Sequence, residues 1–228
     1  MKKRIIVLSL GGSLIIPDRI DIEFLKKFKK IILKNTKKYK FVIVCGGGGI
    51  ARKYIHALEE IKTSEKNQSL SGISATRMNA RFMGYFFNTN QDEIPLNLKT
   101  IKKQLKNKNI IFNGALGYKT NQTTDSTAAK IAKELKTDFI NLTNIYGLHN
   151  KNPLKYKNAK FIPKINWEDF NKMANKFKFK PGQHFVLDQT ASLIILKNKI
   201  KTYIIGKDLM QLDSILNNKK FKGTIIYG

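Results

Sequence analysis

Four consecutive glycines, Gly46 to Gly49, stand between the apolar run FVIVC and a segment of helical period, IARKYI. Holding a glycine in an ordered turn costs about 1 kcal/mol of backbone entropy relative to alanine, so a plain turn has little reason to keep four. They predict something large pressed against the backbone at a helix N-terminus, where unpaired amides and the positive end of the dipole suit phosphate. The spacing is neither GxGxxG nor GxxxxGK followed by Ser or Thr, so neither a dinucleotide fingerprint nor a P-loop is indicated. An earlier turn, Gly11, Gly12 and Ser13, follows the run RIIVLSL and offers amides plus one hydroxyl. A glycine pair after a strand with no further fingerprint is more often an ordinary tight turn. In NQTTDSTAAK, residues 121–130, two threonines and Asp125 open a helix whose next residues are small. Hydroxyls and amides would again meet at one spot, although the same pattern serves as a helix cap.

Arginine adds a second signal. The 228 residues carry a formal charge of +27, but 38 of the 43 basic residues are Lys and only five are Arg, alongside 21 Asn. We read the surplus as a solvated lysine coat rather than a dedicated nucleic-acid or membrane face. The retained arginines then mark places where a planar fork matters, because it grips phosphate oxygens with two parallel bonds. Arg52 lies just inside the helix after the glycine run. Arg77 and Arg81 follow within a 30-residue stretch, four residues apart, where they can also form one solvated helix face.

Strand-length apolar runs at 4–10, 40–45, 109–113, 138–143, 201–206 and 223–227 must position these groups. Helical segments at 21–35, 50–61, 70–88, 124–136, 166–174, 185–198 and 208–218 separate most of them. The alternation predicts an α/β chain, a three-layer α/β/α sandwich with a mostly parallel sheet, in one domain over 1–228. It divides into two lobes at most, about 1–137 and about 138–228. A Lys-rich break, NKFKFKPGQH, lies at 175–184. At 42% apolar residues the chain can bury a core, and no run approaches the roughly 20 residues needed to cross a bilayer. The basic start MKKRIIVLSL imitates a signal peptide but lacks a small-residue cleavage site and reads better as a strand. The single Cys45 excludes an intrachain disulfide, and three scattered histidines give no metal-ligand spacing. A cytoplasmic chain follows. All three anion-prepared openings fall at carboxyl ends of strands, where open α/β sheets bind ligands. Together they predict a substrate with several phosphates and a phosphotransferase.

Over nearly its whole length the sequence resembles the amino acid kinase family, and within it the archaeal-type uridylate kinases. The segments that carry the likeness are LSLGGSLIIP, VCGGGGIARKYI, SGISATRMNARF, QTTDSTAAKIAKELKTD, LTNIYGLHNKNPLKYKNAKFIP and PGQHFVLDQTASLIILKNKIKTYIIGKDL. The resemblance implies phosphoryl transfer from ATP to UMP with Mg2+, in a homo-hexamer, with the lobe at about 1–137 on the acceptor side and that at about 138–228 on the ATP side. It places Gly12, Ser13, Gly48 and Arg52 at the ATP phosphates, and Thr143, His149 and Asn152 around the nucleoside of ATP. UMP would be held by Gly47, Ser69, Tyr118, Lys119, Thr120, Asn121, Gln122, Thr123 and Thr124. Arg52, Asp188 and Lys207 are the candidate catalytic residues, and no metal ligand is assigned.

Several positions depart from the family pattern. Ser9 replaces an Asp, Gly49 a Lys, Ser69 the ribose-binding Asp, Tyr146 another Asp, and Asn152 the Asp of a DP pair. His149 replaces an aromatic Tyr and can still stack on a base. The Pro-Gly turn of the acceptor loop is missing from Tyr118–Thr124. These losses keep a second reading open, a degenerate homologue that binds nucleotide or another phosphorylated small molecule without turnover.

Overall fold

The computed structural model describes residues 3–89, 93–118, 123–151, 153, 156–176 and 186–228. The first half runs Arg4–Leu10 (β1), Gly12–Ile15 (α1), Ile22–Asn35 (α2), Tyr39–Cys45 (β2), Gly48–Glu60 (α3), Glu65–Phe87 (α4), Leu98–Asn107 (α5) and Ile110–Asn113 (β3). Then come Thr124–Leu135 (α6), Phe139–Leu142 (β4) and three two-residue strands, Leu148–His149 (β5), Phe161–Ile162 (β6) and Lys164–Ile165 (β7). Trp167–Asn175 (α7), Gln189–Lys197 (α8), Thr202–Ile205 (β8), Leu209–Leu216 (α9) and Thr224–Ile226 (β9) complete the order. One sheet, in the order β3-β2-β1-β4-β8-β9-β7, spans both halves of the chain. Its first five strands are mutually parallel and β9 is antiparallel to β8, so the mostly parallel α/β reading stands.

Side-chain alternation along the strands sorts the core into two layers. Ile6, Leu8 and Leu10 of β1 pack with Phe24, Phe28 and Ile32 of α2, Met83 and Phe87 of α4, and Leu212 and Leu216 of α9. Val7 packs on the other face with Ile101 of α5, Ala128 and Ala132 of α6, Phe170 of α7 and Ile195 of α8. Carried one step further, the same alternation sends Ser9, Asn113 and Asn141 toward the α6/α8 side at the ends of β1, β3 and β4. Ser9 is level with Val44 and Asn141, and Val44 with Asn113. Three buried polar residues thus close this face of the sheet where its strands terminate.

Two helical features went unread in the sequence. The Lys-rich segment of α5 reads as polar, yet Leu98, Ile101 and Leu105 recur at i, i+3 and i+7, and the last two are buried. Helix α4 begins at Glu65 rather than near residue 70, because Ser64 accepts a hydrogen bond from the Asn67 amide at 3.3 Å and Glu65 occupies the first turn. The break expected at 175–184 and the start of the helix expected at 185 lie largely outside the described residues.

Candidate active site

The two glycine turns first meet each other. The Gly46 amide donates to the Leu10 carbonyl at 2.9 Å, and the Gly11 amide to that of Leu142 at 2.9 Å. A Cβ on Gly12 would lie 2.0 Å from the Gly48 nitrogen, and one on Gly46 would lie 2.4 Å from the Gly12 nitrogen. Gly48 also has φ +66°, which side chains disfavour. The sequence argument expected these glycines to clear space for a ligand, and that expectation needs correction. Much of their requirement is backbone packed on backbone, with Gly49 against the Pro17 carbonyl at 2.1 Å from a would-be Cβ. What remains for a ligand is the set of amides on Gly12, Ser13, Gly47 and Gly48, which find no acceptor among the described residues. They sit where α1 and α3 begin. Arg52 is exposed one turn into α3.

Helix α4 backs this platform. Asn79, buried, donates from Nδ2 to the Gly46 carbonyl at 2.7 Å. Thr76 accepts the Ala115 amide at 3.0 Å, and Arg77 directs Nε and Nη2 to the carbonyls of Ala115 and Leu116 at 3.2 and 3.4 Å. Arg81 is exposed, and Ser69 is half-buried within α4 rather than ahead of it.

Two aspartates meet across the N-termini of α6 and α8. Thr123 caps α6, accepting the Asp125 amide at 3.1 Å while its hydroxyl donates to Asp188. Asp188 caps α8, accepting the Ala191 amide at 2.8 Å, and also takes the Ser126 amide at 3.2 Å. Asp125 does not cap its own helix. Its carboxylate accepts the Ser9 hydroxyl at 2.7 Å. Asp125 keeps some solvent contact, yet protein atoms crowd it, and burial with Asp188 nearby pushes its carboxyl up to about 7 despite the Ser9 bond. Burial also raises Asp188, against the pull of its hydroxyl and amide donors. Sequence reasoning counted Ser9 as a lost charge, singled out Asp125 only as part of the helix opening, and left Ser126 and Asn79 out of the site. Strand alternation pointing Ser9 at the TTD helix opening was the available signal.

Among the remaining candidates, Thr143 donates its amide to the Ile205 carbonyl at 3.0 Å at the end of β4, and Lys207 is exposed just beyond β8. His149 is 5% exposed, its Nδ1 3.2 Å from the Gly147 carbonyl. Its ring packs edge-on to Tyr146 at 4.9 Å and against Phe161 at 5.5 Å. Stacking of a base on His149 is therefore corrected: the ring is consumed by the protein, and Tyr146, 43% exposed, is the member of that cluster facing solvent. Tyr118, Thr123 and Thr124 lie at the two ends of the 118–124 segment, Gly47 caps α3, and Lys119, Thr120, Asn121, Gln122 and Asn152 lie outside the described residues.

Comparison with known proteins agrees with this geometry. The model of the amino acid kinase family matches residues 4–206. A uridylate kinase from Thermococcus kodakarensis is 32% identical over 97% of this chain and 98% of its own length. One from Thermoplasma acidophilum is 31% identical over 97% and 96%. The crystal structure of the Archaeoglobus fulgidus uridylate kinase superposes with a TM-score of 0.84 at 29% identity, covering 97% of this chain and 99% of that one.

Proposed function

The chain belongs to the amino acid kinase family, and from that premise we propose that it is a UMP kinase, transferring the terminal phosphoryl group of ATP to UMP to give UDP and ADP. One observation carries the reading beyond the likeness to uridylate kinases. Two glycine turns with open amides and the N-termini of α6 and α8 converge at the carboxyl edge of the parallel sheet. Such an arrangement grips two phosphorylated ligands from opposite lobes.

In this reading the amides of Gly12, Ser13 and Gly48 cradle the ATP phosphates, and Arg52 closes on them with its fork. Gly47, Thr123 and Thr124 receive the phosphate of UMP at the positive end of the α6 dipole. Lys207 neutralises charge from the α9 side, Thr143 and Tyr146 border the nucleoside of ATP, and Ser69 gives the ribose one hydroxyl. No general base is required, because the second ionisation of a phosphate monoester lies near about 6, so the attacking oxygen is already anionic at neutral pH. The work is positioning and charge compensation. Asp125 and Asp188 are two carboxylates, enough to share Mg2+ with nucleotide phosphates and too few for an all-protein cage; no cluster of three or more His, Cys, Asp or Glu occurs among the described residues. Bound there, Mg2+ would offset charge on the transferring phosphoryl group.

The proposed homo-hexamer rests on the resemblance, with exposed Leu70, Met78 and Tyr85 along α4 as apolar surface available for packing. No described helix is long and apolar enough to cross a membrane, and we place the reaction in the cytoplasm. Incubation with ATP, Mg2+ and each nucleoside monophosphate tests the function. UDP formation with UMP preferred is expected, and no UDP above a control without protein would overturn it.

A further inference from the structure

The segment ATRMNA was notable in the sequence for its likeness alone, and Arg77 for its potential to bind phosphate. The structure gives these residues different work. Asn79 reaches the carbonyl of Gly46, the first of the four consecutive glycines, at 2.7 Å. Three residues earlier on the same helix, Thr76 holds the Ala115 amide and Arg77 spans the next two carbonyls, of Ala115 and Leu116. The loop is pressed onto the helix as well as bonded to it: a Cβ on Gly114 would lie 2.6 Å from Thr76 Oγ1 and 2.7 Å from the Arg77 nitrogen. This loop leads from β3 toward Thr123. A single rigid turn of α4 therefore bridges the backbone that presents the glycine amides and the backbone that enters the acceptor loop.

We propose that Thr76, Arg77 and Asn79 form a latch that sets the spacing between the two phosphate-binding backbones, with Thr76 and Arg77 as positioning residues for the acceptor. The inference rests on the UMP kinase reading for its kinetic consequence, though not for its structural one. Two arguments favour a latch over direct anion binding by Arg77. Nε and Nη2 are already committed to neutral carbonyls, and a guanidinium serves two such acceptors where an ammonium offers one point of contact. Ala115 is buried, so its amide would be left without a partner if the Thr76 hydroxyl were removed, which is costlier than losing a solvated bond.

The experiment compares Thr76→Val, Thr76→Ser, Arg77→Met and Arg77→Lys in the full chain. Thr76→Val and Arg77→Met should each raise KM for UMP about tenfold while KM for ATP stays within about twofold, the size expected from one buried bond left unmade. Thr76→Ser should restore the wild-type value, and Arg77→Lys should recover little. Amide hydrogen exchange without nucleotide supplies the readout independent of turnover: Ala115 should exchange at least about tenfold faster in Thr76→Val than in wild type, and at the wild-type rate in Thr76→Ser. Wild-type behaviour of Arg77→Lys would show that charge suffices and overturn the latch. So would equal rises in both KM values, or unchanged Ala115 exchange. A wild-type chain without UMP kinase activity that still shows the Ala115 effect would refute the functional reading while leaving the latch standing.

Discussion

Replacing Asp125 by Asn should stabilise the protein, and more so at alkaline than at acidic pH. In the folded chain Asp125 keeps its proton up to about 7, against an ordinary value of 3.8. Between those values the folded state binds more protons than the unfolded chain, so stability falls as pH rises through this window and levels off above it. This is the reverse of the usual salt-bridged aspartate. At about 1.36 kcal/mol per pH unit the full window is worth about 4 kcal/mol, and the part between pH 5 and 8 about 2–3 kcal/mol. The amide that replaces the carboxyl in Asp125→Asn cannot ionise, yet its carbonyl oxygen can still accept the Ser9 hydroxyl that now reaches Asp125 at 2.7 Å. The stability gain of Asp125→Asn over wild type should therefore be about 2–3 kcal/mol larger at pH 8 than at pH 5, or about 5–10 °C in Tm for a chain of this size. Urea titration at both pH values, with EDTA and without nucleotide, measures the difference directly; contributions from groups not coupled to Asp125 cancel in it, and Asp188 is the coupled group. An equal gain at the two pH values, or a loss at pH 8, would refute the assignment of a crowded, charge-opposed carboxyl at this position. Activity should fall in the same variant, because the carboxylate that weakens the fold is the one placed to share Mg2+.

Gly12→Ala should cost about 2–3 kcal/mol and lower Tm accordingly, since its Cβ would lie 2.0 Å from the Gly48 nitrogen and the glycine turns would have to separate. Arg52→Ala should leave the urea midpoint within about 0.5 kcal/mol, being exposed, while raising KM for ATP by tenfold or more; a purely structural arginine would show neither pattern. Phe28→Ala removes a fully buried ring that contacts Phe24 at 6.2 Å and Phe87 at 6.0 Å, and equilibrium unfolding should show a loss of about 3–5 kcal/mol.

The strands were legible because apolar runs such as RIIVLSL and YKFVIVC, buried on both faces of a parallel sheet, are long, β-branched and bounded by glycine. Most of the helices were legible from apolar residues recurring at helical period. Helix α5 was not, because lysines surround its few apolar positions and their stems dilute the pattern. At the candidate site, the placement of Arg52 just inside α3 and of the TTD segment at the start of α6 was readable from residue type and position. Ser9 was misread, because a serine in place of an acid registers as loss until the fold shows it bonded to Asp125. His149 was misread for the converse reason: an aromatic ring in a loop suggests exposure, and only the β5–β6 pairing with Phe161 reveals its burial.

The sequence alone determined most element types, the parallel sheet and the glycine turns where backbone amides gather, because these follow from local periodicity and from glycine chemistry. Tertiary structure alone decided which groups have already found partners. It turned the glycines into packing surfaces for each other, assigned Arg77 to carbonyls, and brought Asp125 beside Asp188 from segments 63 residues apart. Hydrogen-bond commitment and charge proximity are set by distances between segments remote in the chain, and no local pattern encodes those distances.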